Sequence, residues 1–112
     1  MNLSPDVVGD VLVVTPRTEY LDASNIKEFK RDMAPLLEKH PRVVMELSQV
    51  ELVDSSACGA FIGFLRQLKS AGGDMKLCGV TKPVRGLFEL VRMHRVFDIL
   101  NTREEATKAF QV

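Results

Sequence analysis

Two hydroxyls and a carboxylate in consecutive positions, Asp54-Ser55-Ser56, are the part of this chain best suited to chemistry. An apolar run, Val43-Val44-Met45-Glu46-Leu47, precedes them, and apolar residues follow at Ala57, Phe61, Phe64, Leu65 and Leu68. The first pattern reads as a strand and the second as one face of a helix. Asp and Ser are strong helix initiators, so the hydroxyls fall in the first turn of that helix. A helix N-terminus offers unpaired N–H groups and the positive end of a dipole, which favours an anion such as phosphate. A phosphate on Ser55 would add about −1.5 to −2 units of charge beside Asp54, and would alter any surface that docks on this turn. The same residues also suit plain N-caps, although no capping box completes them: three positions on stand Ala57, Cys58 and Gly59.

On a helical projection Ser56, Gly59, Gly63, Arg66 and Ser70 share the stripe opposite the apolar face. Glycine in a helix interior costs roughly 1 kcal/mol relative to alanine, so two on one stripe imply a close approach there. Either a partner or a neighbouring element of the same chain can make that approach.

The elements that must hold this turn follow from periodicity. Leu3–Val8 and Val11–Thr15 are β-prone runs separated by Gly9-Asp10, a hairpin pattern in which Pro5 points to an edge strand. Tyr20 to Asn25 reads as a turn with capping residues, leading into a helix whose buried face is Ile26, Phe29, Met33, Leu36 and Leu37 and whose solvated side carries Lys27, Glu28, Lys30, Arg31 and Asp32. His40-Pro41 ends it. Val43–Leu47 suits a strand covered on both faces, with Glu46 turned outward. The central helix spans about Ser55 to Ala71 and stops at Gly72-Gly73. Met75–Val80 is the next strand. Thr81-Lys82-Pro83 opens a third helix with Val84, Leu87, Phe88 and Val91 inward. Val96–Leu100 is a last strand, and Thr102-Arg103-Glu104-Glu105 is a capping box for a final helix through Ala106 to Phe110. The order β-β-α-β-α-β-α-β-α describes one α/β domain over residues 1–112, with a mostly parallel mixed sheet packed by helices behind an N-terminal hairpin.

Composition narrows the function classes. The 15 basic and 15 acidic residues balance, without the basic block of a nucleic-acid binder. No apolar run approaches the roughly 20 residues of a membrane span and no secretory signal opens the chain, so a cytoplasmic protein without membrane insertion is expected. Cys58 and Cys78 form no C-x-x-C and sit among apolar or small residues, as buried reduced thiols do. His40 and His94 lack partners at ligand spacing, so no metal or cofactor is expected. A phosphate-cradling glycine loop is missing and no base lies within motif range of the serines, which ranks an enzyme or nucleotide-binding domain last.

Asp54-Ser55-Ser56 with Gly59, Glu46-Leu47-Ser48, Gly72-Gly73 before Met75-Lys76-Leu77, Leu87-Phe88-Glu89-Leu90, Phe97 and Glu104-Glu105-Ala106 together resemble the STAS domain, in particular its stand-alone anti-sigma-factor antagonists. The turn Leu21-Asp22-Ala23 supports the match, which covers nearly the whole chain. The resemblance implies that Ser55 is a phosphoacceptor bordered by Asp54 and Asp22, with Ser56 in the same turn; a partner approaching the stripe read above would meet Ser56, Gly59, Gly63 and Arg66. It also implies a cycle. The unphosphorylated form binds an anti-sigma factor that is itself a serine kinase and so frees a sigma factor, phosphorylation breaks the complex, and a metal-dependent serine phosphatase restores it. In such a cycle the antagonist is a substrate and not an enzyme. The alternative within the same fold is a non-switching interaction subunit, such as an accessory subunit of a lipid-transport ABC system or a stress-signalling scaffold. The commonest family pattern reads Asp-Ser-Ser-Gly-Leu-Gly, whereas this chain has Ala57 and Cys58 before Gly59, and Glu46 where Asp is usual.

Overall fold

The computed structural model describes residues 1–111 and contains a five-stranded sheet, a two-stranded sheet and four α-helices. Strands β1 (Pro5–Val8) and β2 (Val11–Val14) form the antiparallel hairpin, turning at Gly9 with φ +63°. Next come β3 (Tyr20–Leu21), helix α1 (Ile26–Lys39), β4 (Arg42–Glu46), β5 (Leu52–Val53) and helix α2 (Ser55–Ser70). The chain closes with β6 (Asp74–Cys78), α3 (Lys82–Leu90), a 3₁₀ turn at Met93–Arg95, β7 (Ile99–Leu100) and α4 (Arg103–Ala109). The main sheet runs β1-β2-β4-β6-β7 and is parallel apart from β1.

Val43, Val44 and Met45 of β4 are all fully buried because both faces of the sheet are covered. Alternation divides them. Val43 and Met45 join the large core beneath α1, α2 and α3, whereas Val44 packs with Val11, Val13, Cys78 and Ala106 under α4. Four aromatic rings join the helices in three edge-to-face pairs: Phe29 with Phe61 at 5.9 Å, Phe29 with Phe64 at 5.5 Å and Phe61 with Phe88 at 6.2 Å. Each such pair adds about 0.5–1.5 kcal/mol beyond its area, and together they set the orientation of α2.

The end of α2 has a definite chemical cause. Gly72, in the left-handed region at φ +83°, donates to Lys69 O at 3.1 Å, and Gly73 donates to Leu68 O at 2.7 Å, which satisfies two orphan carbonyls. Gly73 also lies directly against Pro41, whose carbonyl oxygen is 2.0 Å from where a Cβ would stand. The turn into β6 is therefore closed to any side chain at that position.

Four expectations need correction. Tyr20–Leu21, expected as part of a turn, is a strand paired in parallel with Leu52–Val53, and two residues are too few for periodicity to register. The expected strand Val96–Leu100 shrinks to Ile99–Leu100, since Met93–Arg95 forms the 3₁₀ turn and Val96 and Phe97 close it through amides donated to Met93 O. Val91 is 45% exposed as the C-cap of α3, so that helix buries Val84 and Phe88 while Leu87 is partly buried. Glu46 does not turn outward. It is half-buried and accepts from Arg103 Nε at 2.7 Å and from Ser48 Oγ at 2.8 Å, tying the end of β4 to the start of α4. The Thr102 hydroxyl accepts from Glu105 N at 3.2 Å, the forward half of the expected capping box, and no reciprocal bond from the Thr102 amide to the Glu105 side chain accompanies it among the described residues.

Candidate functional site

Strand β5 delivers the chain to Asp54, which caps α2 from an extended backbone. Its Oδ1 accepts from the Ala57 amide at 3.1 Å and from the Ser56 hydroxyl at 2.5 Å. Its Oδ2 accepts from the Ala23 amide at 2.9 Å, across the sequence gap to the loop between β3 and α1. One carboxylate thus joins two segments. The Ser56 hydroxyl holds the Asp54 carboxyl below the usual carboxylate range; the slight desolvation there opposes this, and the amides of Ala57 and Ala23 reinforce it. Asp54 is accordingly an anion near neutral pH.

The facing loop is built as tightly. Asp22 Oδ1 accepts from Ser24 N at 2.9 Å and from Ser24 Oγ at 2.5 Å, while Asn25 Oδ1 takes the Asp22 amide at 3.0 Å and Asn25 Nδ2 donates to Tyr20 O at 2.9 Å. The structure therefore brings Asp22 and Asp54 to one edge, as the sequence suggests, with Ala23 as the bridge between them.

Ser55 is placed differently from its neighbours. Asp54 supplies the cap and Ser56 spends its hydroxyl on Asp54, so Ser55 is the exposed first helical residue, and no side-chain hydrogen bond among the described residues engages its hydroxyl. The exposed stripe continues through Gly59, Gly63 and Arg66. A Cβ at Gly59 or at Gly63 would meet nothing within 4 Å, so no element among the described residues makes the close approach there. The opposite side of the helix is closed: Ala57, Cys58, Phe61, Phe64 and Leu65 are buried, and the Ala57 methyl points into the core and away from the hydroxyls.

Chemically, this turn can present a hydroxyl and receive a group on it. Asp54 already occupies the capping amide, and neither histidine stands by Ser55: His40 caps the end of α1, and His94 lines a cavity by α3 and β7. No group of three or more His, Cys, Asp or Glu among the described residues could hold a metal ion. Cys58 and Cys78 are free and buried; burial raises both thiols, Cys78 to about 12. No helix is long and apolar enough to cross a membrane among the described residues.

Sequence reasoning missed a groove beside this turn. Glu19, Tyr20, Asp22, Ser24, Glu51 and Leu52 line a shallow depression of about 440 Å³, in which Tyr20 is 44% and Leu52 59% exposed. The only sequence signal for it is two large apolar residues in polar surroundings at positions that no helical or strand pattern claims.

The STAS domain family model matches residues 2–106. A Bordetella bronchiseptica protein provisionally named anti-sigma factor antagonist BtrV is 25% identical over 112 residues, spanning 99% of this chain and 96% of its own length. The anti-sigma-B factor antagonist of Bacillus subtilis is 25% identical over 79 residues, 70% of this chain and 72% of its own. The crystal structure of a Thermotoga maritima protein provisionally named an anti-sigma factor antagonist superposes with a TM-score of 0.91 at 27% identity, covering 98% of this chain and 95% of that one.

Proposed function

The chain belongs to the STAS domain family, and from that premise we propose that it is an anti-sigma-factor antagonist switched by phosphorylation of Ser55. In this reading the unphosphorylated chain binds a serine-kinase anti-sigma factor in the cytoplasm and releases a sigma factor. The kinase then modifies Ser55 and ends the contact, and a serine phosphatase restores it. The chain is the substrate of both enzymes and catalyses neither step. The observation that carries the reading is the placement of Ser55: its hydroxyl is exposed at the first helical position, while Asp54 and Ser56 on either side are engaged with each other.

The physics of the switch is a difference between two charge states of one surface. Asp54 is already ionised and already caps the helix, so a phosphate on Ser55 arrives at an edge with Asp22 and Asp54 in place and with the Ala57 amide taken. It adds about two negative charges that a partner must desolvate or repel. A hundredfold loss of affinity corresponds to about 2.8 kcal/mol, which desolvating one unmatched charge readily supplies. Asp22, Ser56, Gly59, Gly63 and Arg66 form the rest of the proposed contact, and the bare backbone at the two glycines lets a partner's chain lie against α2.

The test is incubation with the cognate kinase and ATP, followed by peptide mapping of the phosphate. Incorporation at Ser55 alone is expected, and Ser55→Ala should take up no phosphate while still binding the kinase. Phosphate on Ser56 or elsewhere, with a kinase shown to be active, would reject the assignment.

A further inference from the structure

Charge is balanced over the whole chain, and two separate patches with exposed apolar residues carry opposite net signs. The first is the groove by β3 and β5, where exposed Tyr20 and Leu52 stand opposite each other in register between Glu19, Asp22 and Glu51. The second lies where α3 ends. Leu90 is 78% exposed, Val91 45% and Val96 46%, and they flank the exposed Arg92 and Arg95. Arg92 holds the left-handed conformation at φ 59°, unfavourable for a residue with a side chain, just past Leu90 at the end of α3. Beside it a cavity of about 350 Å³ is lined by Val80, Phe88 and Ile99 together with Arg85, Glu89 and His94. None of Arg85, Arg92, Arg95, Glu19 or Glu51 takes part in an ion pair among the described residues.

We propose that the chain associates head to tail, the acidic groove of one copy receiving the basic, apolar end of α3 of the next. The occupant of each patch is then a second copy, because each supplies what the other lacks. Exposed Tyr20 and Leu52 would meet the apolar lining of the cavity, and Glu19 and Glu51 beside them would face Arg85, Arg92 and Arg95, three cations that outnumber the one carboxylate there, Glu89. With a formal net charge of +0 the copies do not repel at long range, so the local complementarity is not opposed. Two different patches make a heterologous contact, which leads to open chains of copies unless the rotation closes a ring. Asp22 and Ser24 wall the groove, and Ala23 between them is bonded to Asp54, so an occupied groove would compete for the edge beside Ser55. That competition rests on the function proposed above, whereas the self-association does not.

Sedimentation velocity of the full chain tests the proposal. In low salt the wild type should grow with concentration beyond a dimer, and raising the salt should weaken the apparent association about tenfold or more. Arg92→Gln/Arg95→Gln and Glu19→Gln/Glu51→Gln should each be monomeric. Mixed one to one, they should form a dimer that grows no further, because each retains one intact patch; this result also excludes misfolding as the cause of monomer behaviour. A wild type that stays monomeric at every concentration overturns the proposal, as does association by either variant alone at wild-type strength. Binding of a monomeric wild type to phosphatidylglycerol vesicles, lost in Arg92→Gln/Arg95→Gln, would assign the basic patch to a lipid surface and overturn it too.

Discussion

Replacing the two exposed glycines of α2 by alanine should make the protein more stable and a worse binder. A methyl group at Gly59 or Gly63 meets nothing within 4 Å, so it creates no clash and buries no polar group. What remains is the backbone term: alanine restricts the unfolded chain and favours the helix by about 0.5–1 kcal/mol per site. Gly59→Ala/Gly63→Ala should therefore gain about 1–2 kcal/mol in urea unfolding, which corresponds to roughly 4–8 °C in Tm for a domain of this size. On the partner side the sign reverses. If another chain lies against this stripe, each methyl must be accommodated in a packed contact, which costs about 1–3 kcal/mol and thus about fivefold or more in affinity for the anti-sigma factor. Gly86→Ala is the control: it also meets nothing within 4 Å and lies in α3, so it should stabilise to a similar degree and leave that affinity unchanged. A destabilised Gly63→Ala would refute the reasoning about the helix. Stabilisation with unaltered partner binding would remove the stripe from the interface.

Gly73→Ala should behave in the opposite way to the α2 glycines. Its Cβ would stand 2.0 Å from the Pro41 carbonyl oxygen, which also accepts from Asp74 N at 2.9 Å where β4 and β6 meet, so backbone must move; a loss of about 3 kcal/mol is expected in the same unfolding assay, and a loss under about 1 kcal/mol would contradict the packing. Glu46 sets a pH dependence. Burial raises its carboxyl, but the bonds from Arg103 and Ser48 outweigh this and leave it below its ordinary 4.5, so its share of stability is present above that value and is lost as pH falls through the lower folded one. In Glu46→Gln, stability at neutral pH should drop and the decline below about pH 4.5 should be shallower; unfolding curves that fall in parallel with the wild type would discount the pair. Buried Cys58 and Cys78 should both resist alkylation in the native state near pH 8, where Cys78, pushed up to about 12, holds almost no thiolate, and both should react in denaturant.

What could be read from the sequence was decided by length and period. Helix α1 buries Ile26, Phe29, Met33 and Leu37 at helical spacing over 14 residues, and β4 announces a doubly covered strand through Val43-Val44-Met45, so both were legible. Strands β3 and β5 are two residues each, and their pairing depends on bonds that no periodicity encodes, such as Glu51 N and Leu52 N both donating to Glu19 O. Glu46 misled because a carboxylate in an apolar strand finds its partner, Arg103, 57 residues later. The cap at Thr102 was legible because its bond, from Glu105 N to the Thr102 hydroxyl, spans only one turn.

The candidate site divides along the same line, and the division bears on how it works. Asp54-Ser55-Ser56 at a helix start is a local pattern, and the sequence leaves open whether Ser55 is a cap or a free hydroxyl. The answer comes from geometry: Asp54 rotates one oxygen to Ala57 and the other 31 residues back to Ala23, and in doing so it takes the capping role from Ser55 and fixes the opposite wall of the edge. Exposure of the serine and anchoring of Asp22 therefore share one cause. A substitution such as Asp54→Ala should not simply weaken the helix start; it should free the Ala23 loop and invite Ser55 to cap in its place. On the proposed function, partner binding and phosphate incorporation should then fall together, while Ser55→Ala should abolish incorporation alone. Measuring both quantities in both variants separates a site organised by one carboxylate from a set of independent contacts, and equal phosphorylation of Asp54→Ala and wild type would exclude the former.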